Sequence, residues 1–202
     1  LEKMADWAAL VDILKESATI SEAKVLVYEQ YKRDLAQLKA FVKKYPDVNF
    51  VAVERVADVC CIALEKAKAA AEERESDNLR FLIGDAKILA ESVAPHSLDC
   101  IYLNFSDPWP KKGHAKRRLT HRGFLEIYKN LLKEDGILRL KTDNVGLFDF
   151  SLEEFEAIGA TVLWQTRDLH ASEKNADNVM TEYEKNFSEK GFSICSAHVK
   201  FN

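Results

Sequence analysis

The nine residues from Asn104 to Lys112 read Asn-Phe-Ser-Asp-Pro-Trp-Pro-Lys-Lys. A carboxylate, Asp107, is followed by an indole held between two prolines and then by two ammonium groups. Pro108 and Pro110 each fix φ and remove a backbone donor, so this turn is stiff. Prolines on both sides keep Trp109 in a loop. An exposed, rigidly held indole beside Lys111 and Lys112 is a platform on which a base stacks while phosphates are gripped. A turn whose tryptophan packs on a sheet edge is the plainer alternative.

The residues that follow are strongly basic. Residues 111–122 hold six cations (Lys111, Lys112, Lys116, Arg117, Arg118 and Arg122) and no acid, in a chain whose formal net charge is −4. A charge run is usually a solvated surface loop. A basic spot on an acidic body, placed directly after the Asp-Pro-Trp-Pro turn, reads as a localised polyanion site.

These residues need a scaffold, and the hydrophobic pattern supplies one. Apolar runs predict seven strands, at 24–28, 49–53, 79–83, 99–105, 136–142, 161–166 and 193–201. Periodic stretches predict helices over 3–16, 31–44, 55–74, 120–133, 146–157 and 179–190. Alternation of strand and helix implies an α/β fold with a mostly parallel sheet flanked by helices. No linker divides the chain, so residues 1–202 are expected to form one domain, with 1–23 a helical N-terminal extension.

In open α/β sheets ligands bind beyond the carboxyl ends of the strands. The residues just after the first five strands are Glu29, Glu54, Asp85, Asp107 and Asp143, all acidic. Singly, each such acid is more often a helix cap. Five in succession mark a strand-end site.

Composition narrows the chemistry. The chain has seven glycines, all at or after Gly84, where average usage would give roughly fourteen. A phosphate loop or G-x-G-x-x-G turn in the first half is therefore excluded. A dehydrogenase using Glu54 for a ribose would have nothing to cradle a pyrophosphate. No stretch approaches the roughly 18 apolar residues of a membrane span, and no leader pattern opens the chain. Cys60, Cys61, Cys100 and Cys195 fit neither a metal motif nor a disulfide framework and read as reduced thiols in a cytoplasmic protein. The five histidines lack zinc spacing, so no metal is expected.

Several stretches together resemble one family. They are Tyr-Leu-Asn-Phe-Ser-Asp-Pro-Trp-Pro-Lys-Lys (102–112), His-Ala-Lys-Arg-Arg-Leu-Thr (114–120), Lys-Thr-Asp-Asn (141–144), Asp-Leu-His (168–170) and Val-Met-Thr-Glu-Tyr-Glu-Lys-Asn-Phe (179–187). They resemble the bacterial tRNA (guanine-N7-)-methyltransferases, over about residues 41–201. The resemblance implies a Rossmann-like class I methyltransferase fold. It implies methyl transfer from S-adenosylmethionine to N7 of the variable-loop guanine (position 46) of tRNA, by a monomer or homodimer. It places donor contacts on Glu29, Glu54, Asp85 and Asp107, with Glu54 on the ribose hydroxyls and Asp85 near the adenine. Substrate contacts fall on Lys111, Asp143, Thr181, Glu182, Tyr183 and Glu184. The RNA-contacting stretch covers Gly113, His114, Lys116, Arg117 and Arg118, beside Trp109 and Lys112.

The implied chemistry suits these residue types. Guanine N7 carries an in-plane lone pair, so no base must deprotonate it. The enzyme has to align N7 with the sulfonium methyl, which is mostly orientation. Positive charge develops on the base, and a nearby carboxylate stabilises it; Asp107 is the leading candidate for that catalytic role. Glu184 or Asp143 could accept from guanine N1–H and N2–H₂. Without the family, Thr181 and Glu184 would be an ordinary capping box. The resemblance departs at one place. If Glu29 is the family's first strand-end acid, Tyr31, Arg33 and Leu35 occupy the positions of its glycine-rich donor turn. Two readings follow, an active methyltransferase with an altered donor loop and a tRNA-binding variant without transfer activity.

Overall fold

The computed structural model describes residues 23–28, 45, 48–55 and 79–202. The expected helices at 3–16 and 31–44, nearly all of the one at 55–74, and Glu29, Cys60 and Cys61 lie outside them.

Among the described residues, seven strands form one sheet: β1 (Ala23–Tyr28), β2 (Asn49–Glu54), β3 (Leu79–Ile83), β4 (Leu98–Asn104), β5 (Leu132–Thr142), β6 (Thr161–Thr166) and β7 (Cys195–Lys200). Their order is β3-β2-β1-β4-β5-β7-β6. The sheet is mixed. Pairings β1–β2, β2–β3, β1–β4 and β4–β5 are parallel, and β7 runs antiparallel to both β5 and β6. The order reverses between β1 and β4, which makes the crevice at their carboxyl ends the expected ligand position.

Among the described residues, four α-helices flank the sheet: α1 (Leu89–Ser92), α2 (Arg122–Leu131), α3 (Val145–Ala157) and α4 (Glu182–Ser188). Helix α2 buries Phe124, Leu125, Tyr128 and Leu131, one stripe at helical spacing. His121 caps it, accepting from the Gly123 N–H. Helix α3 is capped by Asn144, whose Oδ1 accepts from the Leu147 N–H at 2.8 Å. It stops at Gly159, where φ is +70° and the Ala160 N–H reaches back to the Phe155 carbonyl. That is a glycine-terminated Schellman end, which a side chain at position 159 would strain.

The core lies between the sheet and these helices. Val51, Val53, Ile101, Leu103, Leu138, Leu140 and Val199 meet Leu89, Leu125, Tyr128 and Phe155 there. Burying each such side chain stabilises the fold by about 1.5–3 kcal/mol. Glu154 on α3 locks onto the start of α2. Its Oε2 accepts from the Arg122 backbone N–H at 2.6 Å, and its Oε1 from the guanidinium at 2.8 Å.

Two elements depart from expectation. Strand β5 starts at Leu132 rather than 136, because the register jumps from Leu98↔Leu132 to Cys100↔Ile137. The extra residues turn at Gly136, where a Cβ would come within 2.9 Å of the Lys133 carbonyl oxygen. The helix expected at 179–190 shrinks to Glu182–Ser188, since Thr181 caps it. A 3-10 turn over Ala86–Ile88 leading into α1 has no sequence periodicity long enough to reveal it.

Candidate functional site

Strand β4 ends at the crevice with a sharp change of backbone. Phe105 has φ 53° and Trp109 has φ 40°. Left-handed conformations at non-glycine residues cost of the order of 1–3 kcal/mol each and cluster at functional sites. They bracket Asp107, which is half-buried. The Phe105 N–H is tied to the Lys141 carbonyl at 2.8 Å, so the break begins right after the last β4–β5 pair, Asn104↔Lys141.

Asn104 and Ser106 are 2% and 3% exposed. Both amide atoms of Asn104 and the Ser106 hydroxyl are buried without a hydrogen-bond partner. A buried polar group left unpaired costs about 1–3 kcal/mol. Three such atoms at one strand end make this the candidate position for a polar ligand or ordered water.

The turn after Asp107 is held from outside. Arg118 donates from Nε to the Pro108 carbonyl and from Nη2 to the Trp109 carbonyl, each at 3.0 Å. The guanidinium also lies 4.3 Å from the Phe150 ring centroid. Trp109 is half-buried rather than fully exposed as the sequence suggested. His114 meets its ring edge-on at 5.7 Å, and the Arg117 guanidinium lies 5.0 Å from its centroid. The prolines kept the indole out of regular structure, but these neighbours pack around it. A 3-10 helix over Lys112–Arg117 follows. It leaves Lys112, Gly113, Lys116 and Arg117 exposed, with Lys111 exposed just before it.

A second polar cluster sits at the end of β5. Lys141 Nζ donates to Glu184 Oε2 at 2.7 Å, to Asn178 Oδ1 at 3.1 Å and to the Val179 carbonyl at 3.2 Å. Glu184 Oε1 accepts from His170 Nε2 at 2.8 Å and Asn178 Nδ2 at 2.6 Å. His170 Nδ1 is 3.0 Å from the Ser188 hydroxyl. Burial pushes the Glu184 carboxyl up, yet the Lys141 charge and the bonds from Lys141, His170 and Asn178 outweigh it and hold it below the usual carboxylate range. Beside this cluster the Tyr183 hydroxyl donates to Asp143 Oδ2 at 3.3 Å. The Tyr183 ring packs between Phe105, at 4.8 Å, and Phe187, at 4.2 Å. The β4 and β5 ends are thus coupled through one aromatic ring.

Sequence comparison bears on this arrangement. Residues 36–197 match a family model described as "Putative methyltransferase". A tRNA (guanine-N(7)-)-methyltransferase of Brevibacillus brevis is 47% identical over 157 residues, covering 78% of this chain and 72% of that protein. One from Staphylococcus haemolyticus is 46% identical over 165 residues, covering 82% and 75%. The chain belongs to the tRNA (guanine-N(7)-)-methyltransferase family. A 30S ribosomal A1408 methyltransferase from an uncultured bacterium superposes with a TM-score of 0.60, 12% identity and coverage of 96% and 93%. At that identity the likeness speaks for the Rossmann-like methyltransferase fold alone.

In this family member the expected site residues fall into distinct groups. Glu54 ends β2 and is 7% exposed. Asp85 is exposed and caps the 3-10 turn after β3, accepting from the Lys87 N–H at 3.0 Å. Asp107, Trp109 and Asp143 lie at the ends of β4 and β5. Glu29 lies outside the described residues. Thr181 and Glu184 form the capping box that their spacing predicts on its own. The carboxylate expected to read guanine N1–H and N2–H₂, Glu184, is enclosed in this structure. It is 0% exposed, and both its oxygens accept protein donors. Thr181, at 1% exposure, is likewise enclosed, its hydroxyl taking the Glu184 N–H at 2.6 Å. Of the six cations in the basic run, Arg118 and Arg122 are committed to protein partners. Among the described residues no cluster of metal ligands occurs and no helix is long and apolar enough to cross a membrane.

The sequence reading missed Asn104, Ser106, Lys141 and His170. A signal for two of them existed. Asn104 ends a strand of apolar residues, and Lys141 interrupts another (Ile-Leu-Arg-Leu-Lys). Polar residues in buried strands need partners or ligands.

Proposed function

We propose that this chain transfers a methyl group from S-adenosylmethionine to N7 of a guanine in tRNA, the variable-loop guanine at position 46. The observation that carries the reading is the Asp107 turn. A carboxylate stands at the crevice beside unpaired buried polar atoms, and four exposed cations follow it directly. Family membership gives the reaction class.

The donor set fits the cofactor at its ribose end. A buried carboxylate at the end of β2, Glu54, suits two vicinal hydroxyls, and Asp85 stands at the neighbouring strand end for the adenine. Glu29 is proposed as a further donor contact. The bound donor supplies an electrophilic sulfonium methyl.

This chain's residues do the rest by orientation and electrostatics. The turn keeps Asp107 at a fixed place, where it can stabilise the positive charge that develops on the alkylated base. No proton has to leave N7 before attack. Asp143, steadied by Tyr183, is placed to accept from the base edge, with Glu182 at the start of α4 and Lys111 as further substrate contacts. Trp109 and His114 offer stacking surfaces. Lys112, Lys116 and Arg117 hold phosphates around Gly113, and the irregular RNA loop is splayed rather than read as duplex. Residues 1–202 act on this reading as one domain, in the cytoplasm, as a monomer or homodimer.

The test is nucleoside mass spectrometry on an unmodified tRNA transcript incubated with the chain and S-adenosylmethionine. N7-methylguanosine should form, and a transcript with position 46 changed to adenosine should give none. Salt-sensitive tRNA binding with no methyl transfer would instead favour the variant without transfer activity, the reading that rests on Tyr31, Arg33 and Leu35 in place of glycines.

A further inference from the structure

We infer that Arg118 is a positioning residue for the Asp107 turn and takes no part in gripping phosphate, although it lies within the basic run. The inference rests on the methyl-transfer reading above. Its grounds are geometric. Pro108 and Pro110 have no N–H, so neither can help tie the turn to the rest of the protein. Phe105 and Trp109 hold left-handed backbone on either side of Asp107. A segment under such strain persists only where its surroundings over-determine it. The Arg118 fork supplies that constraint, with two bonds of 3.0 Å to the consecutive carbonyls of Pro108 and Trp109. Its planar face rests on Phe150 of α3, at 4.3 Å, so the brace is anchored to the helix layer rather than to solvent.

The guanidinium is the one group suited to this task. It offers a rigid array of donors and stacks on an aromatic face, which an ammonium does not do. Arg117, one residue earlier, is the contrast. It is exposed, and its guanidinium lies 5.0 Å from the centre of the Trp109 ring. The basic run thus divides. Lys111, Lys112, Lys116 and Arg117 face outward, while Arg118 and Arg122 bind the protein to itself.

Steady-state methylation and tRNA binding at several salt concentrations separate the two roles, on the full chain with S-adenosylmethionine and unmodified transcript. Arg118→Ala should lower kcat about 30-fold or more, with KM for tRNA within two-fold and the salt dependence of binding unchanged. Millimolar guanidinium chloride should restore at least three-fold of the lost kcat. Arg117→Ala should raise KM, flatten the salt dependence by the roughly 0.7–0.9 log unit per decade of one lost phosphate contact, and show no rescue. If Arg118→Ala fails to fold, Phe150→Leu gives the second reading: a fall in kcat at unchanged KM. The inference is overturned if Arg118→Ala keeps its kcat and loses tRNA affinity with a flatter salt dependence. It is also overturned if neither Arg118→Ala nor Phe150→Leu changes kcat. An unmutated chain that binds tRNA but never methylates it would count against the parent reading instead.

Discussion

Lys141 and Glu184 form an ion pair with Nζ and Oε2 2.7 Å apart and side-chain exposures of 9% and 0%. It joins the end of β5 to the first turn of α4 and so fixes Tyr183 against Phe105 and Asp143. Removing one partner leaves the other charge buried, which costs about 3–5 kcal/mol. Lys141→Met should therefore destabilise the fold by that order, read as a lower urea midpoint. Lys141→Met combined with Glu184→Leu should recover part of the loss.

The same pair sets a pH dependence. The folded pKa of Glu184 lies below its unfolded value, with burial opposing the shift and Lys141, His170 and Asn178 producing it. Its contribution is therefore fully present above the unfolded value of about 4.3 and is lost as pH falls through the lower folded value. Urea unfolding measured from pH 7 down to pH 3 should show stability dropping across that acid window. Glu184→Gln should be less stable at pH 7 and show a shallower drop.

His198 behaves differently. Burial, then the charges of Arg139 and Lys174, lower its pKa to about 4. A histidine held neutral in the fold gives stability above its unfolded pKa of about 6.5, and that stability is lost progressively as pH falls towards 4. In NMR titration the His198 ring resonances should stay fixed between pH 7.5 and 5.5. Arg139→Gln should move the midpoint upward, because one of the two opposing charges is gone.

Asn104 should show a trade between stability and activity. Its amide is buried and unpaired. Asn104→Leu removes the desolvation penalty at similar volume, so the unliganded protein should melt at the same temperature or higher, with a gain of up to about 1–3 kcal/mol. The same change should lower kcat/KM for methylation at least ten-fold, because the ligand loses its polar partner. A variant that is less stable yet fully active would remove Asn104 from the site.

Asp107 should matter to the chemical step and little to tRNA capture. Asp107→Asn keeps the shape and removes the charge. Loss of one preorganised electrostatic contact typically costs about 10²–10³ in kcat. A fall of that order, with KM for tRNA nearly constant, is expected in the methylation assay.

Much of this molecule is legible without coordinates because local chemistry and long-range packing agree there. Apolar runs place the strands, since a strand buried on both faces must be apolar almost throughout. The Thr181–Glu184 spacing announces a capping box, and the structure contains one. Legibility fails where a residue's partner is distant in sequence. Arg118 looks like its neighbours Lys116 and Arg117 until Pro108, Trp109 and Phe150 are seen around it. His170 and Lys141 reach Glu184 across 14 and 43 residues, and no local pattern encodes such a meeting.

The sequence by itself determined the seven strands, the strand-helix alternation from β3 onward, the stiff Asp-Pro-Trp-Pro turn and the basic run behind it. These depend on backbone restriction, hydrophobic period and charge, all carried by neighbouring residues. Only the tertiary structure decided which charges remain available. It enclosed Glu184 among four protein donors, turned Arg118 onto the turn it follows and left the Asn104 amide buried without a partner. The physical reason is that a polar group's role is set by what desolvates it and what bonds to it, and both are supplied by elements that folding brings from elsewhere in the chain.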